Sequence, residues 1–582
     1  MLESKNETES KPFSFCKHWI KEGIKEDYVE WLSLASIQKI SRMPGKLIFF
    51  KKIPRVFIES PTGTGKSTFV FENLIPHIAS DKNRFSHNIL YLGNRDALKL
   101  QIGKNIESLH GIYHEDDSEG YPGNSSLKKY YYDDGDNKAC LYICNYQSML
   151  KQINLENFSN VFQASLLGNI EIVIFDEAHF FLDDSLFNPF TELILEKLIT
   201  HFKDSAMVFM SATLDETKLW VGDIISKCCP AQEIPTGRIL NRFIYYKNTY
   251  VQGNYRLNLY TNYSQILHRI ENCAKSERWI IFVSSKDKGR ELMRRISEMK
   301  IPASFLSADT KKSSSWKQIV EEESFSANVL ITTKVLDNGS NILNPFVRHI
   351  VLPFCCKTDF IQMLGRRRIT DDKAINIYAE IPTKKKVKSY IKEATKKLKI
   401  LETAINMRNG NNCSISLLQY LWLTGDKSIN KLFYIDNRAA LMPNYAAAYK
   451  LQALLNFYKE SFKKVYDPDA YIGLLLSWIP SKSLDNAIYL DSSSGENIQS
   501  IDEFIECYEN KILKPNSIYD EFMRIYKNEC YMKYSKEEFD DMMNIKKAKN
   551  IRKATINHAL EKLGKPYKFF KIKKWWVLLK LN

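Results

Sequence analysis

No run of about 18 apolar residues, the length a helix needs to cross a bilayer, occurs anywhere in the sequence. The first residues, MLESKNETESK, are polar and mixed in charge and lack the apolar centre of a secretory signal, so the expected compartment is cytoplasmic, with no membrane partner. Metal-binding cysteine spacing is missing too. The 11 cysteines fall singly or as adjacent pairs (Cys228 with Cys229, Cys355 with Cys356) and never as C-x-x-C, so no zinc or iron–sulfur site is implied. Acidic residues are in deficit: 68 Asp plus Glu stand against 83 Lys plus Arg, a net charge of +15. That excess favours polyanionic partners, although abundant Lys, Asn, Ile and Tyr are also what a biased genome produces.

At 582 residues the chain exceeds one hydrophobic core, and its 44% hydrophobic content fits several folded domains. Up to residue 235, short apolar runs end in polar turns: RVFIES, NILYLGN, CLYICNYQ, IEIVIFDEAH and AMVFMSAT. Helical stretches separate them, the pattern of βαβ units in a parallel sheet with ligands at the carboxyl ends of the strands. The segment Gly111 to Lys138 reads as a polar surface excursion. A second set, RWIIFVSS, NVLITTKVL, VRHIVLPF and AINIYAEI, predicts a second α/β domain over 236–383. Aromatic-rich helical stretches then predict an accessory region over 384–545. Residues 546–582 read as a helix closed by Gly564 and two short strands, a winged-helix-like tail with Trp575 and Trp576 as its core or a stacking wedge.

IESPTGTGKSTFV, from Ile58 to Val70, carries the first chemistry. A glycine-rich turn from strand to helix lets the backbone around Thr62, Gly63, Thr64, Gly65, Lys66, Ser67 and Thr68 surround phosphates. Lys66 then reaches the outer phosphates and the Ser67 hydroxyl binds Mg²⁺. Ser60 stands where the strict pattern has glycine. In IVIFDEAH a buried strand delivers Asp176, suited to the metal's outer shell, and Glu177, suited to orienting or deprotonating a water. A nucleotide and Mg²⁺ are the ligands these residues call for.

Asp-Glu-Ala-His with MSAT (Met210 to Thr213) resembles motifs II and III of the superfamily 2 helicases, the DEAD/DEAH-box group, as Ser60 to Ser67 resembles motif I. LGNRDALKLQ resembles motif Ia and CNYQSM the Tyr-Gln segment before motif II. WIIFVSSKDKGREL, VLITTKVLDNGSNI and QMLGRRR resemble motifs IV, V and VI. The resemblance implies two tandem RecA-like parallel-sheet domains with ATP between them, followed by a mainly helical C-terminal region. It further implies Gln362, Arg366 and Arg368 at the nucleotide from the second domain, with arginine fingers stabilising transition-state charge. Met363 and Ile369 depart from the commoner Q-R-x-G-R-x-G-R form, leaving open which arginine is the finger. His179, Ser211 and Thr213 are couplers on the resemblance, or simply satisfied buried polar groups. Gln38 is either an adenine reader or an exposed helix residue.

By the same resemblance a DNA or RNA strand crosses both domains at Asn94 and Arg95, Tyr146 and Gln147, Ser284 and Ser285, and Thr332 and Thr333. Their hydroxyls, amides and guanidinium suit sugar–phosphate contacts. The lysine-rich stretch Lys384 to Lys399 is either a backbone grip or a solvated face. The expected function is an ATP-dependent helicase or translocase on DNA or RNA. The alternatives are a nucleotide-switched clamp recruiting a protein partner on the C-terminal helices, and the motor subunit of a larger nuclease or defence complex.

Overall fold

The structure is a computed structural model. It describes residues 25–29, 50–80, 87–94, 112–114, 127–158, 170–234, 237–248, 254–274, 276–310, 313–336, 341–368, 373–408, 427–435, 441–464, 468–479, 483–489, 501–509, 512–513, 518–519, 521–523, 525–526, 551–572 and 575–581. The chain divides into two compact units, one of residues 1–259 and 274–488, the other of 260–273 and 489–582.

The larger unit holds two sheets. Ten strands form the first, and seven of them run parallel in the order Lys25–Val29, Gly237–Asn248, Phe50–Glu59, Ala206–Ser211, Ile170–Asp176, Asn88–Gly93 and Lys138–Asn145. Alternation along each strand explains the burial of both faces. Phe57, Leu90, Leu92, Val173, Phe175, Met207 and Phe209 point into one core cluster. Their neighbours Val56, Ile58, Ile89, Tyr91, Ile172, Ile174, Val208 and Met210 point into another. A strand with period-two side chains and apolar residues at every position must be covered on both sides.

Two outcomes differ from the sequence reading. The polar excursion after Gly111 contributes the strands Ile112–His114 and Lys128–Asp133, which extend the sheet as an antiparallel edge beside Lys138–Asn145. Strand Gly237–Asn248, past the expected domain end at 235, pairs in full register with Phe50–Glu59, because its apolar and aromatic residues complete the first core.

The second sheet is ordered Ala303–Leu306, Val329–Thr332, Arg278–Phe282, Val347–Leu352, Ile375–Glu380, Asn254–Tyr260 and Ser483–Tyr489, its first five strands parallel. These are two RecA-like α/β domains followed by a helical region. Within that region the helix Tyr445–Lys464 touches both domains. Asn444 caps it, and the Tyr445 and Ala446 amides donate to the Glu192 carboxylate of the first domain. Further along, Lys450 meets Asp183 at 2.6 Å and Glu216 at 3.1 Å. Its distal half presents Phe457, Tyr458 and Phe462 to the core of the second domain.

The smaller unit has its own core, in which helix Ile551–Lys562 and the hairpin Tyr567–Ile572 and Trp575–Lys580 pack with Ile501–Tyr508. Trp576 lies in that core. Strand Ile512–Leu513 makes the sheet three-stranded. Among the described residues no helix is long and apolar enough to cross a membrane.

Glu192 gives the helix dock a pH dependence. Burial, then the charge of Glu196, raises its pKa to about 7 against the opposing pull of Lys227 and the two amides. The folded state therefore binds the extra proton between about pH 4.5 and 7, and stability falls as pH rises through that window. Glu192→Gln is expected to remove up to roughly 3 kcal/mol of this dependence, read as a loss of the stability difference between pH 5 and pH 8 in urea unfolding.

Candidate active site

Strand Phe50–Glu59 delivers the loop Ser60–Gly65 to the carboxyl edge of the first sheet, and helical backbone continues from Lys66 to Ser80 through a π-helical stretch. Gly63 and Gly65 take φ values of 82° and 87°, a left-handed geometry in which a Cβ costs about 1–2 kcal/mol. Lys66 Nζ donates to the carbonyls of Ser60 (2.8 Å) and Pro61 (3.3 Å). Burial lowers the Lys66 pKa, with Arg368 and Arg366 adding to that effect and Glu177 and Asp176 opposing it. Ser60 is a node of the loop. Its Oγ lies 2.5 Å from Thr64 Oγ1 and accepts from Asn248 Nδ2 at 2.9 Å. Thr62 is half-buried, whereas Ser67 and Thr68 are exposed in the first helical turn.

The buried strand Ile170–Asp176 ends beside this loop. Asp176 accepts from the Tyr91 hydroxyl at 2.5 Å and from the Glu177 amide at 2.9 Å. Burial, then Glu177, raises its pKa to about 6. Burial acts against ionisation of Glu177 as well, but the hydrogen bond and charge of His179, with Lys66 and Arg366, outweigh it and hold this carboxyl below its usual range. Glu177 has φ 53°, strained for a residue with a side chain. The Ala178 amide bonded to the Met210 carbonyl and the Phe180 amide bonded to the Glu177 carbonyl keep it there. His179 Nδ1 lies 2.9 Å from Ser211 Oγ and 3.3 Å from Glu177 Oε2, so the acidic turn and the Ser-Ala-Thr turn share one histidine.

From the second domain, helix Lys357–Leu364 brings Gln362 within 3.5 Å of Thr213. Arg366 is folded onto that helix, its guanidinium donating to the Gln362 side chain (2.9 Å) and carbonyl (3.0 Å). Arg368 donates through Nε to Asn341, while its buried Nη1 has no hydrogen-bond partner. Both arginines lie close enough to Lys66 to affect its charge. A Cβ on Gly365 would stand 2.0 Å from Thr62 Oγ1, so the arginine turn sits directly on the phosphate loop.

Residues absent from the sequence reading join these parts. Glu59 accepts from Tyr245 (2.8 Å) and the Leu214 amide (3.2 Å), and pairs with Lys247 at 3.2 Å. Asp215, just past the Ser-Ala-Thr turn, pairs with Lys357 of the second domain at 2.6 Å. Tyr91 anchors Asp176. Polar residues at the carboxyl ends of parallel strands were the available signal, as Glu59, Lys247 and Asn248 all occupy such ends.

The expected nucleic-acid residues divide. Asn94 is buried with its amide nitrogen unpaired, Gln147 is half-buried, and Ser284 and Ser285 are exposed, Ser285 capping helix Lys286–Glu298. Thr333 is half-buried. Tyr146 and Thr332 are fully buried, Tyr146 donating to the Asp176 carbonyl (2.6 Å) against Phe180, and Thr332 bonding the Thr333 carbonyl. Arg95 and Gln38 lie outside the described residues.

The cradle fits a nucleotide: left-handed glycines turn amides outward, and Arg368 keeps a buried donor unpaired. One carboxylate and one hydroxyl suit Mg²⁺, which keeps most of its waters. Gly365→Ala is expected to push the two domains apart and reduce ATP turnover roughly tenfold to a hundredfold, with each domain's secondary structure unchanged by circular dichroism.

Residues 25–216 match the family model described as Type III restriction enzyme, res subunit. No curated protein sequence matches the chain. Among solved structures, the Mycobacterium smegmatis helicase Lhr bound to ssDNA and AMP-PNP is 14% identical with a TM-score of 0.37, covering 71% of this chain and 53% of that one. A DEAD box protein from Methanococcus jannaschii is 18% identical with a TM-score of 0.30, over 58% of this chain and 85% of that one. The Escherichia coli DEAH/RHA helicase HrpB is 14% identical with a TM-score of 0.34, over 56% and 40%. The family match thus lies on the first domain, which carries the glycine-rich loop, the acidic strand end and the Ser-Ala-Thr turn.

Proposed function

We propose that the protein is a nucleic-acid-dependent ATPase that translocates along or unwinds DNA or RNA. The observation that carries this reading is the convergence of Lys66 and the acidic pair of one sheet with Arg366 and Arg368 of the other. Amides of Thr62 to Thr68 and the Lys66 ammonium bind the phosphates. Ser67 and Asp176 would hold Mg²⁺, which would supply neutralising charge to the phosphate oxygens. Glu177, kept ionised by its surroundings, orients the attacking water and accepts its proton. Arg368, with a free donor, is the finger, and Arg366 holds Gln362 until the phosphate site is filled. Bond breaking then releases the Gly365–Thr62 apposition, and the change passes through His179, Ser211 and Thr213 towards the strand gripped by Asn94, Gln147, Ser284, Ser285 and Thr333.

A second reading, an ATP-switched clamp without strand separation, draws on helix Tyr445–Lys464, which bonds both domains and restrains their opening. Strand displacement on forked substrates separates the two. Lys66→Ala or Glu177→Gln is expected to abolish nucleic-acid-stimulated ATP turnover, and unchanged turnover in both variants removes the ATPase reading. Arg368→Ala is expected to lower turnover by about 10³ or more, and Arg366→Ala by less.

A further inference from the structure

Ser60 opens the phosphate loop, and every polar group it has is engaged. Its amide donates to the Ser211 carbonyl (3.0 Å) and its carbonyl accepts from Lys66 Nζ (2.8 Å). Its hydroxyl stands between Thr64 Oγ1 (2.5 Å) and Asn248 Nδ2 (2.9 Å). Ser60 and Thr64 are only 3% and 6% exposed, so neither hydroxyl can turn to bulk water instead.

Proton counting gives these contacts a direction. A serine or threonine hydroxyl has one proton to donate, and a carbonyl oxygen has none. The Thr64 hydroxyl lies 2.6 Å from the Pro61 carbonyl and must donate its proton there. Ser60 therefore donates to Thr64, and its lone pairs accept from the Asn248 amide. Were the oxygen of Asn248 turned to Ser60, the Ser60 hydroxyl would face two acceptors with one proton. The chain thus runs from Asn248 Nδ2 to Ser60 Oγ, from Ser60 Oγ to Thr64 Oγ1 and from Thr64 Oγ1 to the Pro61 carbonyl, each bond polarising the next. It starts only from a donor at position 248.

The chain ends in the part of the loop that would meet phosphate. Thr64 lies between Gly63 and Gly65, both left-handed, and anchoring its side chain inward holds the flanking backbone in that shape. Asn248 reaches the loop because strand Gly237–Asn248 runs parallel to Phe50–Glu59 with Lys247 opposite Glu59, so the next residue along each strand, Asn248 and Ser60, come side by side. Asn248 is also where the chain leaves the first sheet. The next described strand, Asn254–Tyr260, belongs to the second sheet, and the step from Asn248 to Asn254 spans at most about 22 Å.

We propose that Asn248 is a positioning residue of the phosphate loop. Through Ser60 and Thr64 it fixes the loop in the shape that receives the phosphates of a nucleotide, and it ties that shape to the segment joining the two domains. The proposal rests on the reading of the loop as a nucleotide site, and it adds a residue outside every motif on which that reading draws.

The test is a double-mutant cycle in the full-length protein: wild type, Asn248→Leu, Ser60→Ala and the double variant. Asn248→Asp is added as an isosteric replacement that accepts but cannot donate. Titration with a fluorescent ADP analogue gives Kd, and steady-state ATP turnover with single-stranded DNA or RNA present gives kcat and KM. Asn248→Leu and Asn248→Asp are each expected to raise Kd and KM by about tenfold, the effect of leaving a buried hydroxyl without its donor, with kcat changed by less than about twofold. Because Asn248→Leu adds no charge, agreement between the two separates lost donation from repulsion of phosphate. In the Ser60→Ala background Asn248→Leu is expected to have no further effect, since the two residues act through one bond. Additive effects overturn the proposal, as does an Asn248→Asp variant that binds nucleotide as tightly as wild type. A lowered melting temperature with Kd and KM unchanged marks a merely structural role and overturns it too. In each of these cases wild-type turnover leaves the ATPase reading intact. A wild-type protein that binds neither ADP nor ATP overturns the proposal and that reading together.

Discussion

Buried charges of opposite sign, drawn from two separate sheets, are the constraint on which this structure turns. Asp176 of the first domain and Arg366 of the second are buried, Lys66, Glu177 and Arg368 are half-buried, and each alters the ionisation of others in the group. A buried ion without a counter-ion is expensive, so each domain carries an unfinished electrostatic site that the other completes. Arg368 Nη1, buried beside these groups, makes no hydrogen bond.

Around this array a second, less buried set of polar contacts connects the moving parts. Glu59 precedes the phosphate loop, Lys247 and Asn248 end the last strand of the first domain, and Asp215 reaches Lys357 across the junction. The loop, the exit of the first domain and the entry to the arginine helix therefore share hydrogen bonds and ion pairs, so displacement of one alters the partners available to the others. Helix Tyr445–Lys464 adds a mechanical tie, with its first turn on Glu192 and its distal aromatic residues in the second core. Burial of Lys450 between acids makes that tie hard to break by solvation, because a lysine stripped of Asp183 and Glu216 would be left charged and dry.

Much of the site was legible because phosphate chemistry imposes local order. Glycines at fixed spacing before Lys66, and a fully apolar strand ending in two carboxylates, are short-range patterns whose cause lies within a few residues of backbone. Side-chain direction was less legible. Tyr146 starts a helix and Thr332 ends a strand, and at both places only packing decides that the side chain is fully buried. The polar segment after Gly111 also misled: a hairpin edge strand needs only one buried face, so Lys128–Asp133 can be tyrosine- and lysine-rich and still complete a sheet.

By itself the sequence determined the two-sheet architecture, the nucleotide loop, the acidic strand end and the order of the motifs, since each is written in periodicity or spacing. Tertiary structure alone decided which arginine keeps a free donor, that Ser60 is bonded to Asn248, that Gly365 lies on Thr62 and that one helix ties both domains. These contacts join residues many positions apart. Their strength depends on desolvation and on the partner that packing happens to bring near, and no local pattern encodes either.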